Sequence, residues 1–340
     1  MTSLVAVQAQ DYSGAKWAIG LRAARMTDAV VEQACDAGAI LRTHVLRPTW
    51  HFVTPADIRW MLAFTGPRVQ AFNRSYHRKL EIDDAMLAKS RRTIERTLGR
   101  EPDQTRTELA AALRRAGIDV SGIRLAFVMM HAELEGAICS GPRRGKQFTY
   151  ALMDVRAAQA RVLDRDEALA ELTRRYFSSH GPATIRDYAW WSGLSIGEAR
   201  TGVAMVRSVL EEATVDGVTY QFVGSRDYKR GRTDDHSPHA AHLLPNYDEY
   251  LIAYQDRDLA VPRPDAAAAG QATARPELPH HLIVEGRVAG SWRRRMTGRS
   301  VALEIALHRS LDQAGSQALG HQADRLSRFL GAPVETIYVR

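Results

Sequence analysis

Two side-chain amides stand close together near the start of the chain, in Val7-Gln8-Ala9-Gln10-Asp11. In an extended segment, residues two apart point to the same side, so Gln8 and Gln10 are expected to face one cleft. A carboxamide is neutral and a poor base. Its oxygen can still hold a water and present partial negative charge, which suits attack on a bond that is already weak. Most Gln-x-Gln pairs are ordinary surface residues, so this pair gains weight only from its surroundings. Asp11 and Ser13 are helix-capping types, and Ala15 to Arg25 reads as a helix, so the motif leads into a helix start. Asp11 and His51 are the supporting candidates. Asp248 and Glu249 are adjacent and so point apart, which argues against a catalytic carboxylate pair. Cys35 and Cys139 lie in unrelated settings and form neither a disulfide framework nor a metal-ligand pattern. No cofactor, metal or nucleotide loop is expected.

The elements that must position these residues follow from capping and periodicity. Thr27-Asp28 can cap a second helix, Ala29 to Ala37, closed by Gly38. Ile40 to Arg47 reads as a strand, Pro48 breaks it, and Trp50-His51-Phe52-Val53 returns. This ribbon carries Arg42, His44, Arg47 and His51. Thr54-Pro55 opens a helical stretch that runs with interruptions to about Leu98.

The same outline recurs. Thr107 to Ala116 and Ser121 to Ile138 read as two helices, followed by a turn at 141–146 and a strand from Gln147 to Leu152. A leading helix from Asp166 to Ser178, two shorter ones after Thr184 and Ser195, and an Asp216-Gly217 hairpin repeat it. Glu211-Glu212 are read as closing the last of these helices. Beyond 226, a polar loop, a helix near Leu251, a Pro/Ala/Gly-rich stretch at 262–279, a hairpin around Glu285-Gly286-Arg287, a strand from Val301, a helix from Leu311 to Leu330 and a strand near Ile337 complete the chain. The expected class is α+β, mostly α: tandem winged-helix units followed by a C-terminal β-barrel-like domain. The expected divisions are 1–100, 101–160, 161–225 and 226–340.

The 340 residues carry a net charge of +7, with 46 basic residues of which five are lysine (Lys16, Lys79, Lys89, Lys146 and Lys229). An arginine-rich excess suits phosphate contact. DNA contacts are expected from Arg47, from Arg143, Arg144 and Lys146, from Lys229, Arg230 and Arg232, and from Arg293, Arg294 and Arg295. The second helix of the middle repeat, Arg124 to Glu133, is mostly apolar, and Glu133 and Glu135 would repel phosphate. A base-reading helix normally offers polar residues near its start, which counts against a sequence-specific regulator. No signal peptide or bilayer-length apolar run is visible, so a cytoplasmic, nucleoid-associated monomer without membrane contact is expected.

Six stretches together resemble a known family. They are Val7 to Asp11, Arg47 to Val53, Gly181-Pro182-Ala183-Thr184, Trp190-Trp191-Ser192-Gly193-Leu194, Leu244 to Leu251 with Asp256-Arg257, and Val284 to Trp292. The chain resembles the AlkZ-type, winged-helix DNA glycosylases along nearly its whole length. That resemblance implies three tandem winged helices and a β-barrel around a concave DNA-binding face. It also implies a catalytic Gln-apolar-Gln motif at Gln8, Ala9 and Gln10, and excision of N-alkylated purines from double-stranded DNA, with crosslink unhooking in some members. A sister group has Asp at the position of Gln10. Family members carry a few dozen residues ahead of the motif; seven precede it here, so the first unit is expected to be short. The competing expectation is a non-catalytic winged-helix DNA-binding protein or transcriptional regulator.

Overall fold

The computed structural model describes residues 2–224, 240–261 and 279–339. The chain opens with a two-residue strand, β1 (Val7–Gln8), then α1 (Tyr12–Arg22), α2 (Asp28–Asp36) and a ribbon of β2 (Leu41–His44) and β3 (Trp50–Val53). Next come α3 (Pro55–Lys79), α4 (Asp84–Arg100), β4 (Gln104–Thr105), α5 (Arg106–Arg115), α6 (Arg124–Leu134), β5 (Ile138–Ser140) and β6 (Thr149–Leu152). After α7 (Met153–Arg156) follow α8 (Arg165–His180), α9 (Ile185–Ser192), α10 (Ile196–Met205), β7 (Glu211–Val215) and β8 (Val218–Phe222). The last described elements are β9 (Ala241–Leu244), α11 (Glu249–Ile252), β10 (His280–Val284), β11 (Arg287–Thr297), β12 (Ser300–Leu307), α12 (Gln313–Leu330) and β13 (Val334–Tyr338). The fold is α+β.

Two compact units share the chain discontinuously: residues 1–10 with 32–223, and residues 11–31 with 224–340. In the first unit the element order repeats. Strands β1-β3-β2 form one three-stranded sheet and β4-β6-β5 a second, while β7-β8 gains a third backbone partner through a bridge between Ala183 and Gln221. The helix starts are written in the sequence. Capping boxes at Thr105/Glu108, Asp164/Glu167, Thr184/Asp187 and Ser195/Glu198 satisfy N–H groups at the first turns of α5, α8, α9 and α10. Helix α6 is shorter than expected, because Gly136 takes a positive φ of 66° and the chain turns directly into β5. Glu211 and Glu212 do not close a helix. α10 ends at Met205, and the two glutamates begin β7 with exposed side chains.

The apolar face of α6 packs inward. Val128, Met129 and Ala132 join Ile94, Leu98, Leu109, Leu113 and Ile138 in one buried cluster. Glu133 is likewise 1 % exposed, and its carboxylate accepts from the His44 backbone N–H at 2.9 Å and meets the His44 ring at 2.5 Å. It therefore ties α6 to β2 and cannot repel phosphate at a surface, contrary to expectation. A second aromatic core gathers Tyr176, Phe177, Tyr188 and Trp191.

In the second unit the β-barrel-like expectation fails. The five strands lie in the order β13-β12-β11-β10-β9, and among the described residues no pairing joins β13 to β9. The sheet is open, with β13 added in parallel to β12, and α12 packs against it through Leu319, Leu326 and Phe329. Helix α1 belongs to this unit: its Trp17 indole donates to the Leu243 carbonyl at 2.6 Å and lies 5.0 Å from the Phe329 ring. Glu285 and Gly286 both have positive φ, which makes the tight β10–β11 turn.

A buried ion pair joins α3 to α8. Arg175 meets Asp57 at 2.9 Å, with both side chains more than nine-tenths buried. Burial alone would raise the Asp57 carboxyl. Hydrogen bonds from Thr54 and Trp60, with the Arg175 charge, outweigh it and hold the group below the usual carboxylate range. A depressed folded pKa contributes stability that is present above the unfolded value, about 3.9, and is lost as pH falls through the folded one. Asp57→Asn is expected to cost about 3 kcal/mol near neutral pH by leaving the guanidinium buried without its main partner. It should also flatten the loss of stability on acidification below about pH 4. Denaturant melts of both proteins across that pH range check this.

Candidate active site

The Gln-x-Gln motif is held by backbone pairing. Val7 faces Phe52 and Gln8 faces His51 across the antiparallel β1–β3 pair, and Ala9 extends the pairing by donating its N–H to the Trp50 carbonyl at 2.7 Å. The Ala9 carbonyl in turn accepts from Arg42 Nε at 3.1 Å. Ala9 is fully buried, so the small middle residue anchors the two amides that flank it.

Both amide oxygens turn toward the segment 47–50. Gln8, 7 % exposed, accepts from Arg47 Nη2 at 3.3 Å, and exposed Gln10 accepts from the Trp50 backbone N–H at a long 3.5 Å. Gln10 is the looser of the two. His51 is 1 % exposed and its Nδ1–H donates to the Thr49 carbonyl at 2.9 Å, so it braces the turn beneath the motif. Asp11 turns to its own helix: its carboxylate caps α1 by accepting from the Gly14 N–H at 3.0 Å and the Ser13 hydroxyl at 3.1 Å.

The turn that carries Arg47 is tight. Leu46 has φ of 64°, the Arg47 N–H bonds back to the Val45 carbonyl at 2.7 Å, and the Thr49 N–H to the Arg47 carbonyl at 2.7 Å. A left-handed leucine is uncommon and costs of order 1 kcal/mol or more, which its complete burial and a 3.1 Å bond from its N–H to the Thr65 hydroxyl offset. The loop after α9 fits against it. A Cβ on Gly193 would lie 2.7 Å from the Leu46 carbonyl oxygen, so the glycine in Trp190-Trp191-Ser192-Gly193 admits that close approach. The Arg47 guanidinium consequently sits 5.9 Å from the centre of the Trp190 ring.

Aromatic rings and guanidinium groups alternate outward from the motif. His44 packs on Trp50 at 4.4 Å and Arg42 lies over the same indole at 4.2 Å. Arg42 and Arg143 in turn flank Phe148 at 4.8 and 5.0 Å. Of the expected DNA contacts in this unit, Arg143 also pairs with Glu32 at 3.2 Å and Arg144 with Glu108 at 2.6 Å, while Lys146 is exposed. In the second unit Arg293 and Arg295 share Glu304 at 2.6 and 3.1 Å, and half-buried Arg294 points to the opposite face of β11. Lys229, Arg230 and Arg232 lie outside the described residues. Thus the structure brings Gln8, Gln10, Arg47 and His51 together, adds Arg42, Trp50 and Trp190 to them, and leaves the remaining basic residues on other elements. Nothing in the spacing of Trp190 foretold its place, because it arrives from a helix some 140 positions downstream.

The thiol of Cys139 is buried within β5, which pushes it up to about 12 and removes it as a nucleophile. The nearest lysine in sequence to the motif, Lys16, is 4 % exposed and bound to Asp28 at 2.8 Å.

Comparison with known proteins agrees with this architecture. A curated relative, the interstrand DNA cross-link repair glycosylase of Streptomyces sahachiroi, is 24% identical over 300 residues, covering 85% of this chain and 80% of the relative. The solved structure of the Streptomyces sahachiroi DNA glycosylase AlkZ superposes with a TM-score of 0.75 at 21% identity, covering 98% of this chain and 92% of that one. The family profile described as DNA glycosylase AlkZ-like matches residues 1–329, and the chain belongs to that family.

Proposed function

We propose that this protein is a monofunctional DNA glycosylase that hydrolyses the N-glycosidic bond of N-alkylated purines, N7-alkylguanine or N3-alkyladenine, in double-stranded DNA. The observation that carries this reading is the pair of rigidly mounted amides, Gln8 and Gln10, whose oxygens converge on the segment 47–50. Because the relative from Streptomyces sahachiroi is named for interstrand cross-link repair, unhooking of alkyl crosslinks is a natural extension.

The chemistry matches what two neutral amides can supply. Alkylation at N7 or N3 makes the base a cation, so it departs as a neutral leaving group and no strong general acid is needed. As the C1′–N bond breaks, its electron pair returns to the purine and positive charge moves to the sugar. The amide oxygens of Gln8 and Gln10 present partial negative charge to that oxocarbenium centre and orient a water toward C1′. A C–O bond forms, and the proton of the added water passes to solvent. Gln10 is the principal water-positioning residue and Gln8 orients the water or the sugar. His51 and Asp11 act indirectly, through the turn and through α1. With Lys16 already paired, no amine adjoins the motif for Schiff-base chemistry.

The three helix–helix–ribbon repeats serve, in this reading, as winged-helix units within 1–100, 101–160 and 161–225, followed by a C-terminal domain at 226–340. They act as scaffold. Arg124, the residue best placed for base reading on α6, is instead tied to the carbonyls of Asp119 and Glu81 at 3.1 and 3.2 Å. Arg47, Arg143, Arg144, Lys146, Lys229, Arg230, Arg232 and Arg293 to Arg295 hold the phosphate backbone, and the enzyme acts as a monomer on the chromosome in the cytoplasm.

Gln8→Ala and Gln10→Ala are each expected to slow release of N7-methylguanine from duplex DNA by on the order of 10²–10³ while DNA affinity stays near wild type. Single-turnover assays watching for free base, beside equilibrium binding, decide this; wild-type rates in both variants would remove the assignment. Gln10→Asp should retain part of the activity, measured in the same assay. Undamaged duplexes of different sequence should bind about equally, with affinity falling steeply as salt rises. One preferred operator, tighter by about three decades, would instead identify a regulator.

A further inference from the structure

The Trp190-Trp191 pair sits beside the motif without a part in the chemistry above. Its second member is core: Trp191 is fully buried against Tyr176 at 5.1 Å. Its first member is not, for Trp190 keeps 44% of its surface exposed although its neighbours are packed. We infer that the exposed face of Trp190 is the platform on which the cationic alkylpurine stacks, and that it selects the damaged base by its positive charge. The inference rests on the glycosylase reading and deepens it by naming what distinguishes the substrate.

Three observations carry it. First, Arg47 links the ring to the motif, lying 5.9 Å from the Trp190 ring centre and 3.3 Å from Gln8 Oε1. Adding one C–N bond, the ring and the amide oxygen are at most about 10 Å apart. A base stacked on the indole therefore has its glycosidic carbon within reach of the amides. Second, the face already receives a guanidinium, so its surroundings favour a flat, delocalised cation. An N7- or N3-alkylated purine is a flat, delocalised cation of larger area, and indole has the most favourable π-face for one. Third, the other aromatic ring at the motif is occupied. Trp50 carries Arg42 at 4.2 Å and His44 at 4.4 Å, closer than any partner shown for Trp190. Normal purines are neutral and gain no such attraction, so the platform favours the damaged base before any bond breaks. A base stacked there has left the helix, and weakened pairing of the alkylated nucleotide lowers that cost.

The test separates charge from shape. One duplex carries 2′-fluoro-N7-methyldeoxyguanosine, cationic and resistant to cleavage. A second carries 7-methyl-7-deazadeoxyguanosine, of the same shape but neutral. The full-length wild type is expected to prefer the cationic duplex by about 5- to 30-fold. Trp190→Leu should abolish that preference and Trp190→Phe should keep part of it, with affinity for undamaged duplex unchanged. Because Trp190 is half-exposed, both variants should melt with the wild type, whereas Trp191→Leu reports damage to the core. Gln8→Ala and Gln10→Ala should keep the preference while losing excision. Full charge preference in Trp190→Leu, or a wild type that excises base yet binds both duplexes equally, overturns the inference. A wild type that prefers the cation but releases no base from cleavable N7-methylguanine DNA overturns the glycosylase reading and leaves the platform standing.

Discussion

Everything at the candidate site depends on a very short backbone pairing. Strand β1 contributes two residues to its ladder, and Ala9 adds one more bond to Trp50. Three consecutive residues are therefore locked to β3, and β3 is locked on its other side to β2 from Leu41 to His44. Side-chain amides have several rotatable bonds and would wander if the backbone beneath them did. Here the backbone is fixed first. One side-chain donor, Arg47, and one main-chain donor, the Trp50 N–H, then aim the oxygens.

That economy explains why the surroundings are heavily braced. Arg47 can reach Gln8 only from a turn bent at Leu46, and a left-handed leucine persists only where neighbouring structure over-determines it. The bracing comes from distant parts of the chain: Thr65 on α3 and the cavity-free approach of Gly193 after α9. Helix α3 is itself tied to α8 by Asp57 and Arg175, and β2 is tied to α6 by His44 and Glu133. A scaffold of repeated helix–helix–ribbon elements thus serves one turn and one short strand. The polar bonds between repeats are buried, so each is costly to break and each narrows the set of compatible arrangements.

The sequence made much of this legible, and the limits have physical causes. Helix starts could be read because capping is local: Thr105 with Glu108 and Ser195 with Glu198 satisfy their partners three residues away. The Trp50 to Val53 strand was visible because Pro48 interrupts the ribbon. What could not be read was anything decided by long-range pairing. Whether the C-terminal strands close depends on partners of β9 and β13, which periodicity does not encode, and the sheet proved open. Glu133 looked like a surface charge because no sequence rule announces that His44, 89 positions earlier, will meet it in the core. At the site, the two glutamines, Arg47 and His51 were evident by type. The partnership of Arg47 with Gln8 and the nearness of Trp190 were not, since both follow from how a tight turn meets a distant helix end.

The discontinuous path of the chain has a further consequence. Residues 1–10 belong to one unit and residues 11–31 to the other, so the peptide bond after Gln10 is where the chain first passes between them. Helix α1 is fastened to its own unit by the Trp17 indole on Leu243 and by Phe329, whose ring would clash with any side chain in place of Gly20. Neither unit is therefore a contiguous gene segment. Recombination that exchanged one as a cassette would sever the catalytic motif from the helix that follows it, or strand α1 with the wrong host. Such an arrangement favours inheritance of the whole chain as a single evolutionary module. Diversification within it is then expected through point substitution and loop change, with shuffling of parts disfavoured.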